Sequence, residues 1–231
     1  MKETSTPRAL LFDLDGTLVD TAPDLAEATN RLREHHGLAR LPFETLRAKV
    51  SQGGSALVSL ALSIDADHPD HLAARDYLLN RYAEIVADES QIFPGLAPFL
   101  ERWEMAERGW GIVTNKPRRF AEPLIAALGL TPGVMICADD LPVRKPDPRP
   151  LLEAATVLGV IPGDCWYVGD HRRDMQAARA AGMPAIAVSY GYLDDADPVE
   201  SWPADRWFDT PAELIAALWI PVDEAESVVN R

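Results

Sequence analysis

Two carboxylates near the start of the chain, Asp13 and Asp15, follow the apolar run Ala9–Phe12. The run predicts a buried strand, and residues i and i+2 of an extended strand point to the same side. Two like charges at this spacing repel each other, and a cation between them removes that cost. Oxygen ligands suit Mg²⁺, and a carboxylate can also attack phosphorus to form an aspartyl phosphate. Taken alone, the pair also fits a strand that ends in a simple Asp-Gly turn.

Polar residues also follow two later apolar runs that we interpret as strands. Thr114 and Asn115 end the run that begins at Trp110, and Asp170 comes two residues after Val168. Short strands that alternate with helices predict an α/β fold, in which right-handed crossovers connect a parallel sheet. Ligands bind beyond the carboxyl ends of the strands in such sheets, so we expect these polar residues to form one site.

A block with only helical spacing separates the first predicted strand from the second. We therefore predict two domains: residues 1–20 and 91–231 form the core, and residues 21–90 form an α-helical cap inserted over the carboxyl edge of the sheet. Within the cap, Gly53 and Gly54 belong to a polar break between helices. Because glycine permits close approach of the backbone, we expect these two residues to contact the substrate.

The 231-residue chain has 22 basic and 36 acidic residues, which gives a formal net charge of −14. This charge argues against nucleic acid or an anionic membrane as a partner, and an anionic substrate would need a few well-placed cations. Lys116 is one of only four lysines, and we interpret it as a surface residue, with substrate binding as the alternative. Cys137 and Cys165 lie in apolar runs without metal-binding spacing, which is typical of a cytoplasmic protein. We find no apolar run of membrane-spanning length and no signal peptide.

Four motifs lie in order at predicted strand ends: Asp13–Thr17, Val113–Asn115, Lys145 within Arg144–Pro148, and Gly169–Asp174. With these motifs, the chain resembles the haloacid dehalogenase superfamily of phosphohydrolases. The resemblance implies a Rossmann-like three-layer α/β/α core with a parallel sheet and a small inserted α-helical cap. It also implies a phosphoric monoester hydrolase that uses Mg²⁺.

Two segments, Thr114–Pro117 and Lys145–Pro148, are typical of the phosphoglycolate phosphatase branch of this superfamily. The run Phe120–Leu124 is similar to a sub-branch that acts on N-acetylmuramic acid 6-phosphate in cell-wall recycling. The resemblance therefore implies that the substrate is a small phosphorylated metabolite, with phosphoglycolate and the sugar acid as the two candidates. It leaves open whether the protein is a monomer or a homodimer.

The resemblance also implies the catalytic and metal-binding roles. Asp13 would attack phosphorus, and Asp15 would protonate the leaving alkoxide and then activate water. Asp13, Asp170 and the backbone carbonyl of Asp15 would bind Mg²⁺, while Asp174 would orient its waters. On charge alone, Asp170 and Asp174 could instead favour the N-terminus of a helix.

Thr114, Asn115 and Lys145 would hold the phosphoryl oxygens, as the resemblance implies. As alternatives, Thr114 and Asn115 could form a turn, and Lys145 could be a solvated loop residue. Three further residues beside the motifs receive no assigned role: His171, Arg118 and Arg119.

Other chemistries known in the superfamily stay open as less favoured alternatives. A phosphonatase would need a lysine in the cap as a Schiff base, and Lys49 is the only lysine of the predicted cap. A phosphosugar mutase would share all four motifs and differ in how the cap holds a bisphosphate. A non-catalytic binding module would be expected to lack Asp13 or Asp15, and a dehalogenase would lack Asp15.

Overall fold

The computed structural model describes residues 6–194 and 197–218. Strands and helices alternate through most of residues 91–218, whereas residues 22–84 contain helices and no strand. In chain order the strands are β1 (Ala9–Phe12), β2 (Val19–Asp20), β3 (Gln91–Ile92), β4 (Gly109–Val113), β5 (Val134–Ile136), β6 (Cys165–Gly169), β7 (Ala185–Val188) and β8 (Arg206–Phe208). The α-helices are α1 (Ala22–His35), α2 (Phe43–Arg47), α3 (Gly54–Leu62), α4 (His71–Glu84), α5 (Leu96–Met105), α6 (Arg118–Ala127), α7 (Arg149–Val157), α8 (Arg172–Ala181) and α9 (Pro211–Ala217).

Six of these strands form one parallel sheet in the order β5-β4-β1-β6-β7-β8. β1 lies inside this sheet, where Phe12 pairs with Ile112 of β4 on one side and with Val168 of β6 on the other. The carboxyl ends of β1, β4 and β6 are therefore adjacent, and so are the residues that follow them. The predicted α/β class with a parallel sheet is confirmed.

Helices cover both faces of the sheet, which gives the predicted three layers. Leu10 and Phe12 of β1 pack in a buried cluster with residues from α5, α6 and α9. The alternate residues Ala9 and Leu11 pack with residues from α7 and α8. Burial on both faces explains why β1 is apolar throughout, and each large side chain contributes about 1.5–3 kcal/mol to stability.

Residues of α1, α3 and α4 form a separate hydrophobic cluster, which Phe120 and Tyr192 join from outside these helices. The two short segments that flank these helices in the chain also pair with each other. Val19 of β2 lies opposite Ile92 of β3 in a short antiparallel ladder. No periodic pattern could predict this ladder, because each strand has only two residues.

The division of the chain into a core and a cap, with the cap at residues 21–90, stays a prediction. Residues 1–5, 195–196 and 219–231 of the predicted core lie outside the described residues. Within the described ranges, every helix is too short or too polar to cross a lipid bilayer.

Candidate active site

The chain turns after β1, and this turn carries the first two predicted site residues, Asp13 and Asp15. β1 ends at Phe12, so the i, i+2 geometry of a strand does not continue to Asp15. Gly16 has a φ of +79°, and a Cβ at this position would lie 2.1 Å from Oδ2 of Asp170. The backbone conformation and the close approach of Asp170 therefore both require glycine.

Asp13, Asp170 and Asp174 form a buried cluster in which one oxygen from each carboxylate lies within 4.8 Å of the others. The side chain of Lys145 is fully buried beside them, and its Nζ lies 3.0 Å from Asp13 and 2.8 Å from Asp174. Nζ also donates to the hydroxyl of Tyr167 at 2.7 Å. The structure thus brings four predicted site residues together, and it excludes a solvated position for Lys145.

Burial dominates the electrostatics of this cluster. Burial, followed by repulsion from Asp13 and Asp174, raises the pKa of Asp170 to about 8. Burial is also the largest cause that raises the pKa of Asp174. It acts on Asp13 in the same direction, but the charges of Lys145 and Arg173 reverse the effect and hold the pKa of Asp13 below its ordinary value. Asp13 is therefore ionised near neutral pH, which is the state that a nucleophile needs.

The cluster also has the donor set of a divalent cation site. Three carboxylates lie close together, two of them pair with the ammonium group of Lys145, and Oδ2 of Asp174 has no hydrogen-bond partner within the described chain. The hydroxyl of Thr17 and the backbone N–H of Tyr192 hold Asp170 at 3.1 Å and 2.9 Å. A further cation would remove the repulsion that raises the pKa of Asp170. These oxygen donors fit Mg²⁺, with Asp174 inside the carboxylate cluster and the carboxylate of Asp15 outside it.

The carboxylate of Asp15 lies in a separate network. Its Oδ1 accepts hydrogen bonds from the hydroxyl of Thr21 at 2.6 Å and from Nζ of Lys116 at 2.8 Å. Lys116 is buried, and its Nζ lies 4.7 Å from the centre of the Tyr82 ring. Burial by itself lowers the pKa of Lys116, but the charge of Asp15 reverses the shift and raises the pKa. The interpretation of Lys116 as a surface lysine is wrong, because Asp15 compensates the cost of burying the ammonium group.

Thr114 and Asn115 follow β4 at the same edge of the sheet. The side-chain amide of Asn115 donates to the carbonyl oxygen of Lys145 at 3.0 Å and accepts from its N–H at 3.1 Å. Oγ1 of Thr114 accepts from the N–H of Lys116 at 3.2 Å, which leaves the hydroxyl free to donate. Asn115 thus fixes the backbone of Lys145, while Thr114 offers a donor.

A cavity of about 610 Å³ lies between these residues and the helices of the predicted cap. Gly53 and Gly54 form part of its wall, so the predicted cap loop does reach the site. Five basic side chains face two carboxylates in the lining, although the whole chain has a net charge of −14. These charged residues are Asp13, Asp15, Arg75, Lys116, Arg144, Lys145 and Arg173. The cavity therefore provides the local positive charge that an anionic substrate needs.

Arg75, Tyr82 and Arg173 are among the polar residues of the cavity wall to which the sequence assigns no role. Arg173 extends from α8 and donates two hydrogen bonds, both at 3.1 Å, to the carbonyl oxygen of Ser51. Tyr82 is 1% exposed, and its ring lies against the ammonium group of Lys116. Helical spacing was the available signal for α4, since Arg75, Leu79 and Tyr82 share one face. Arg173 lies within the motif Gly169–Asp174, in which the predicted site residues are the two aspartates.

The three residues without an assigned role lie outside the cavity lining. Nδ1 of His171 accepts from the backbone N–H two residues later and so caps α8, and burial lowers the pKa of His171 to about 4. Arg118 forms an ion pair with Asp140 at 2.5 Å. The guanidinium group of Arg119 lies 4.5 Å from the centre of the Phe120 ring. These contacts explain the three side chains by local structure.

Residues 7–182 match the family model of the haloacid dehalogenase-like hydrolases. The chain belongs to this family. It is 41% identical over 213 residues to the N-acetylmuramic acid 6-phosphate phosphatase of Pseudomonas aeruginosa, with 91% of this chain and 94% of the relative covered. It is 44% identical over 216 residues to the phosphoglycolate phosphatase of Xanthomonas campestris pv. campestris, with 90% and 95% covered.

Solved structures of the family share the fold. A predicted phosphoglycolate phosphatase from Haemophilus somnus matches with a TM-score of 0.80 at 25% identity, over 93% of this chain and 99% of that chain. The resemblance drawn from the four motifs is confirmed, since both branches that it implied appear among the relatives. The family is one of hydrolases, and these relatives are phosphatases. The roles of individual residues stay predictions.

Proposed function

We propose that the protein is a Mg²⁺-dependent phosphomonoesterase that hydrolyses a small phosphorylated metabolite, in the manner of a phosphoglycolate phosphatase. One observation carries the proposal: the ionised carboxylate of Asp13 lies 3.0 Å from Lys145 in the lining of a cavity rich in positive charge. A phosphate group bound there would meet a nucleophile and a cation together.

The reaction has two steps in this scheme. An oxygen of Asp13 attacks phosphorus, the bond from phosphorus to the leaving oxygen breaks, and the proton of Asp15 passes to that oxygen. Asp15 then takes a proton from water, the water oxygen attacks phosphorus, and the aspartyl bond breaks to release phosphate. Thr21 and Lys116 hold the carboxylate of Asp15 for both proton transfers. Lys145 balances the charge that spreads over the phosphoryl oxygens.

We assign the metal ligands to Asp13, Asp170 and the backbone carbonyl of Asp15. When bound, Mg²⁺ supplies positive charge to the phosphoryl oxygens and to the carboxylate cluster. Oδ2 of Asp174, which has no partner in the described chain, is suited to orient a water of the metal.

Thr114 and Lys145 bind the phosphoryl group in this scheme, and Asn115 acts through the backbone of Lys145 that it holds. Gly53 and Gly54 contact the leaving group from the cavity wall. Every group comes from one chain, so a monomer and a homodimer would both have a complete site. The two free cysteines are buried, which suits the reducing cytoplasm.

Phosphoglycolate is the first candidate substrate, and N-acetylmuramic acid 6-phosphate is the second. Relatives of both kinds are more than 40% identical to this chain. The size of the cavity favours the second candidate. About 610 Å³ lies within the range of roughly 300–1,000 Å³ that is usual for drug-sized ligands, and phosphoglycolate would fill only a small part of it.

Phosphate release from a panel of phosphomonoesters tests the proposal. The panel contains phosphoglycolate, N-acetylmuramic acid 6-phosphate and hexose phosphates, each assayed with Mg²⁺ and again after EDTA treatment. Asp13→Asn keeps the size of the side chain and removes the nucleophilic oxygen, so we expect kcat to fall by about 10⁴-fold or more. Asp67→Asn, at an exposed position in the predicted cap, is the matched control.

Each outcome has a distinct meaning. Equal activity in wild type and Asp13→Asn would refute the nucleophile, and full activity in EDTA would refute the metal requirement. Transfer of phosphate between sugar positions without release would indicate the mutase alternative. A phosphonatase would be inactivated by borohydride in the presence of a phosphonate that carries a carbonyl group. Loss of this inactivation in Lys49→Met would indicate that alternative.

A further inference from the structure

We propose that Arg75 binds a carboxylate of the substrate, so that the enzyme selects phosphorylated acids over neutral phosphomonoesters. The inference rests on the proposed function, since it concerns the same cavity, and it adds a specificity-determining residue on the cap side. Four observations carry it: the position of Arg75, its lack of a partner, the groups around it and the charge that the wall offers.

One face of α4 lines the cavity with Arg75, Leu79 and Tyr82. Their spacing of i, i+4 and i+7 places them on one side of the helix. The Tyr82 ring contacts Lys116, which binds Asp15, so this end of the face adjoins the reacting groups. Arg75 precedes Tyr82 by two helical turns, or about 10 Å along the axis. Arg75 is therefore placed for a part of the substrate that is remote from the phosphate.

Within the described chain, Arg75 lacks a partner, whereas three of the other four cations of the cavity lining have one. Lys116 and Lys145 form ion pairs with carboxylates, and Arg173 donates to Ser51. Among the described residues, no hydrogen bond or ion pair involves the half-buried side chain of Arg75. Its charge is thus partly withdrawn from water without compensation. A carboxylate would supply that compensation, because its two oxygens match the planar guanidinium group.

The groups around Arg75 also favour an anion. Cγ of Arg75 lies 3.9 Å from the position of a Cβ on Gly54, the first residue of α3. Gly53, which precedes α3, has no side chain that could cap the helix. The first backbone N–H groups of α3 therefore lack a side-chain acceptor. The wall is therefore rich in donors that a ligand oxygen would satisfy.

A carboxylate fits this wall better than a second phosphate. A phosphate monoester carries roughly 1.5–2 negative charges at neutral pH, whereas Arg75 is the only cation that the predicted cap contributes to the described lining. Arg144 also lacks a partner in the described chain, but it is exposed and adjoins Lys145 on the phosphate side. The relatives from Pseudomonas aeruginosa and Xanthomonas campestris are each named for a substrate that contains a carboxylate.

Matched pairs of substrates isolate the carboxylate. N-acetylmuramic acid 6-phosphate is compared with N-acetylglucosamine 6-phosphate, which lacks the lactyl acid, and phosphoglycolate with 2-hydroxyethyl phosphate. We measure kcat/KM for the wild type, Arg75→Gln, Arg75→Lys, Arg144→Gln and Arg81→Gln. Arg81 is the matched control, since it lies on α4, forms an ion pair with Glu84 at 2.7 Å and is not part of the cavity lining.

We expect Arg75→Gln to lower kcat/KM for the acids by about 10- to 100-fold, the usual value of a charged hydrogen bond, and to leave the neutral partners nearly unchanged. Arg75→Lys should retain part of the preference, and Arg81→Gln should behave as the wild type. Equal losses for both members of a pair would overturn the inference, because they would indicate a structural role. Unchanged kinetics in Arg75→Gln, or loss of the preference in Arg144→Gln instead, would overturn it too.

A binding measurement separates this inference from the proposed function. Calorimetry with the Asp13→Asn variant and Mg²⁺ compares phosphoglycolate with 2-hydroxyethyl phosphate, with and without Arg75→Gln. Tighter binding of the acid that disappears with Arg75→Gln supports the inference, and equal binding of the two esters overturns it. If the wild type releases no phosphate from any substrate, the proposed function fails, and this comparison still decides the role of Arg75.

Discussion

The two sides of the cavity differ in how their polar groups are satisfied. On the core side, Asp13 contacts Lys145, and Asp15 accepts hydrogen bonds from Thr21 and Lys116. On the cap side, the side chain of Arg75 has no hydrogen bond or ion pair within the described chain. The predicted reacting groups thus have partners within the protein, whereas Arg75 on the opposite wall is left for a ligand to complete.

This difference matches the different demands of chemistry and selectivity. Groups that stabilise a transition state are most effective when they are already oriented, because no reorganisation is then needed during the reaction. Groups that select a substrate are most effective when a wrong ligand leaves them unpaired, because the unpaired group makes that complex less stable. Disrupting the core side should therefore reduce turnover of all substrates, and disrupting the cap side should change the order of preference among them.

The largest effect is expected from Lys145→Met, which removes the ammonium group between Asp13 and Asp174. We expect kcat to fall by about 10³-fold for acidic and neutral substrates alike, since charge on the phosphoryl oxygens is common to both. Breaking a buried ion pair should also lower the free energy of unfolding by about 3–5 kcal/mol. Steady-state kinetics and urea unfolding measure the two effects.

Arg149→Met is the control for Lys145→Met, because Arg149 is exposed in the same segment and pairs only with Asp147 in the described chain. Arg149→Met should leave both kcat and the free energy of unfolding nearly unchanged. A loss in Lys145→Met that is confined to acidic substrates would contradict the division between the two sides.

Lys116→Met should have a smaller effect that depends on the leaving group. Asp15 loses one of its two hydrogen-bond donors but keeps Thr21. We expect kcat/KM for phosphoglycolate to fall by about 10- to 100-fold, because an alkoxide needs a proton as it leaves. The kcat/KM for p-nitrophenyl phosphate should change far less, because its phenolate leaves without a proton from Asp15.

Lys116→Arg is the matched variant for this test, since it retains the positive charge beside Asp15. It should recover part of the activity on phosphoglycolate. Equal losses for the two substrates would argue that Lys116 supports the fold rather than the proton transfer.

The smallest effect is expected from Gly53→Ala in the cap wall. Gly53 has a φ of +83° and a ψ of 178°, a backbone conformation that residues with a side chain rarely adopt. A Cβ at this position would nevertheless meet no atom within 4 Å. The cost is therefore conformational, and we expect the free energy of unfolding to fall by about 1–3 kcal/mol. Gly163→Ala is the control, because it has the same open space without a positive φ. Equal stability of the two variants would show that the loop adapts without strain.

Much of the core side could be predicted from the sequence. β1 has the bounds Ala9–Phe12 that the apolar run predicted, since a central parallel strand is buried on both faces and leaves an unbroken apolar pattern. The meeting of Asp13, Asp170 and Lys145 followed from motifs placed at the carboxyl edge of such a sheet. Their catalytic roles stay predictions, although the geometry suits them.

The cap side and the partners of buried charges could not be predicted in the same way. Lys116 pairs with Asp15, which is 101 residues away, so no local pattern indicated its burial. The shared face of Arg75 and Tyr82 was visible as helical spacing. Whether that face meets a cavity or solvent depends on how α4 packs against α1 and α3, and this packing is not encoded within α4 alone.

The ladder between β2 and β3 has a consequence for how new specificities arise in this architecture. Because Val19 lies opposite Ile92, the two ends of the segment between them lie close together in space. Any folded insert whose ends lie equally close together can be joined there without moving β1 or β4. Recombination could therefore exchange the intervening segment as a unit, and with it the substrate preference that we propose for Arg75, while the predicted catalytic residues of the core stay in place.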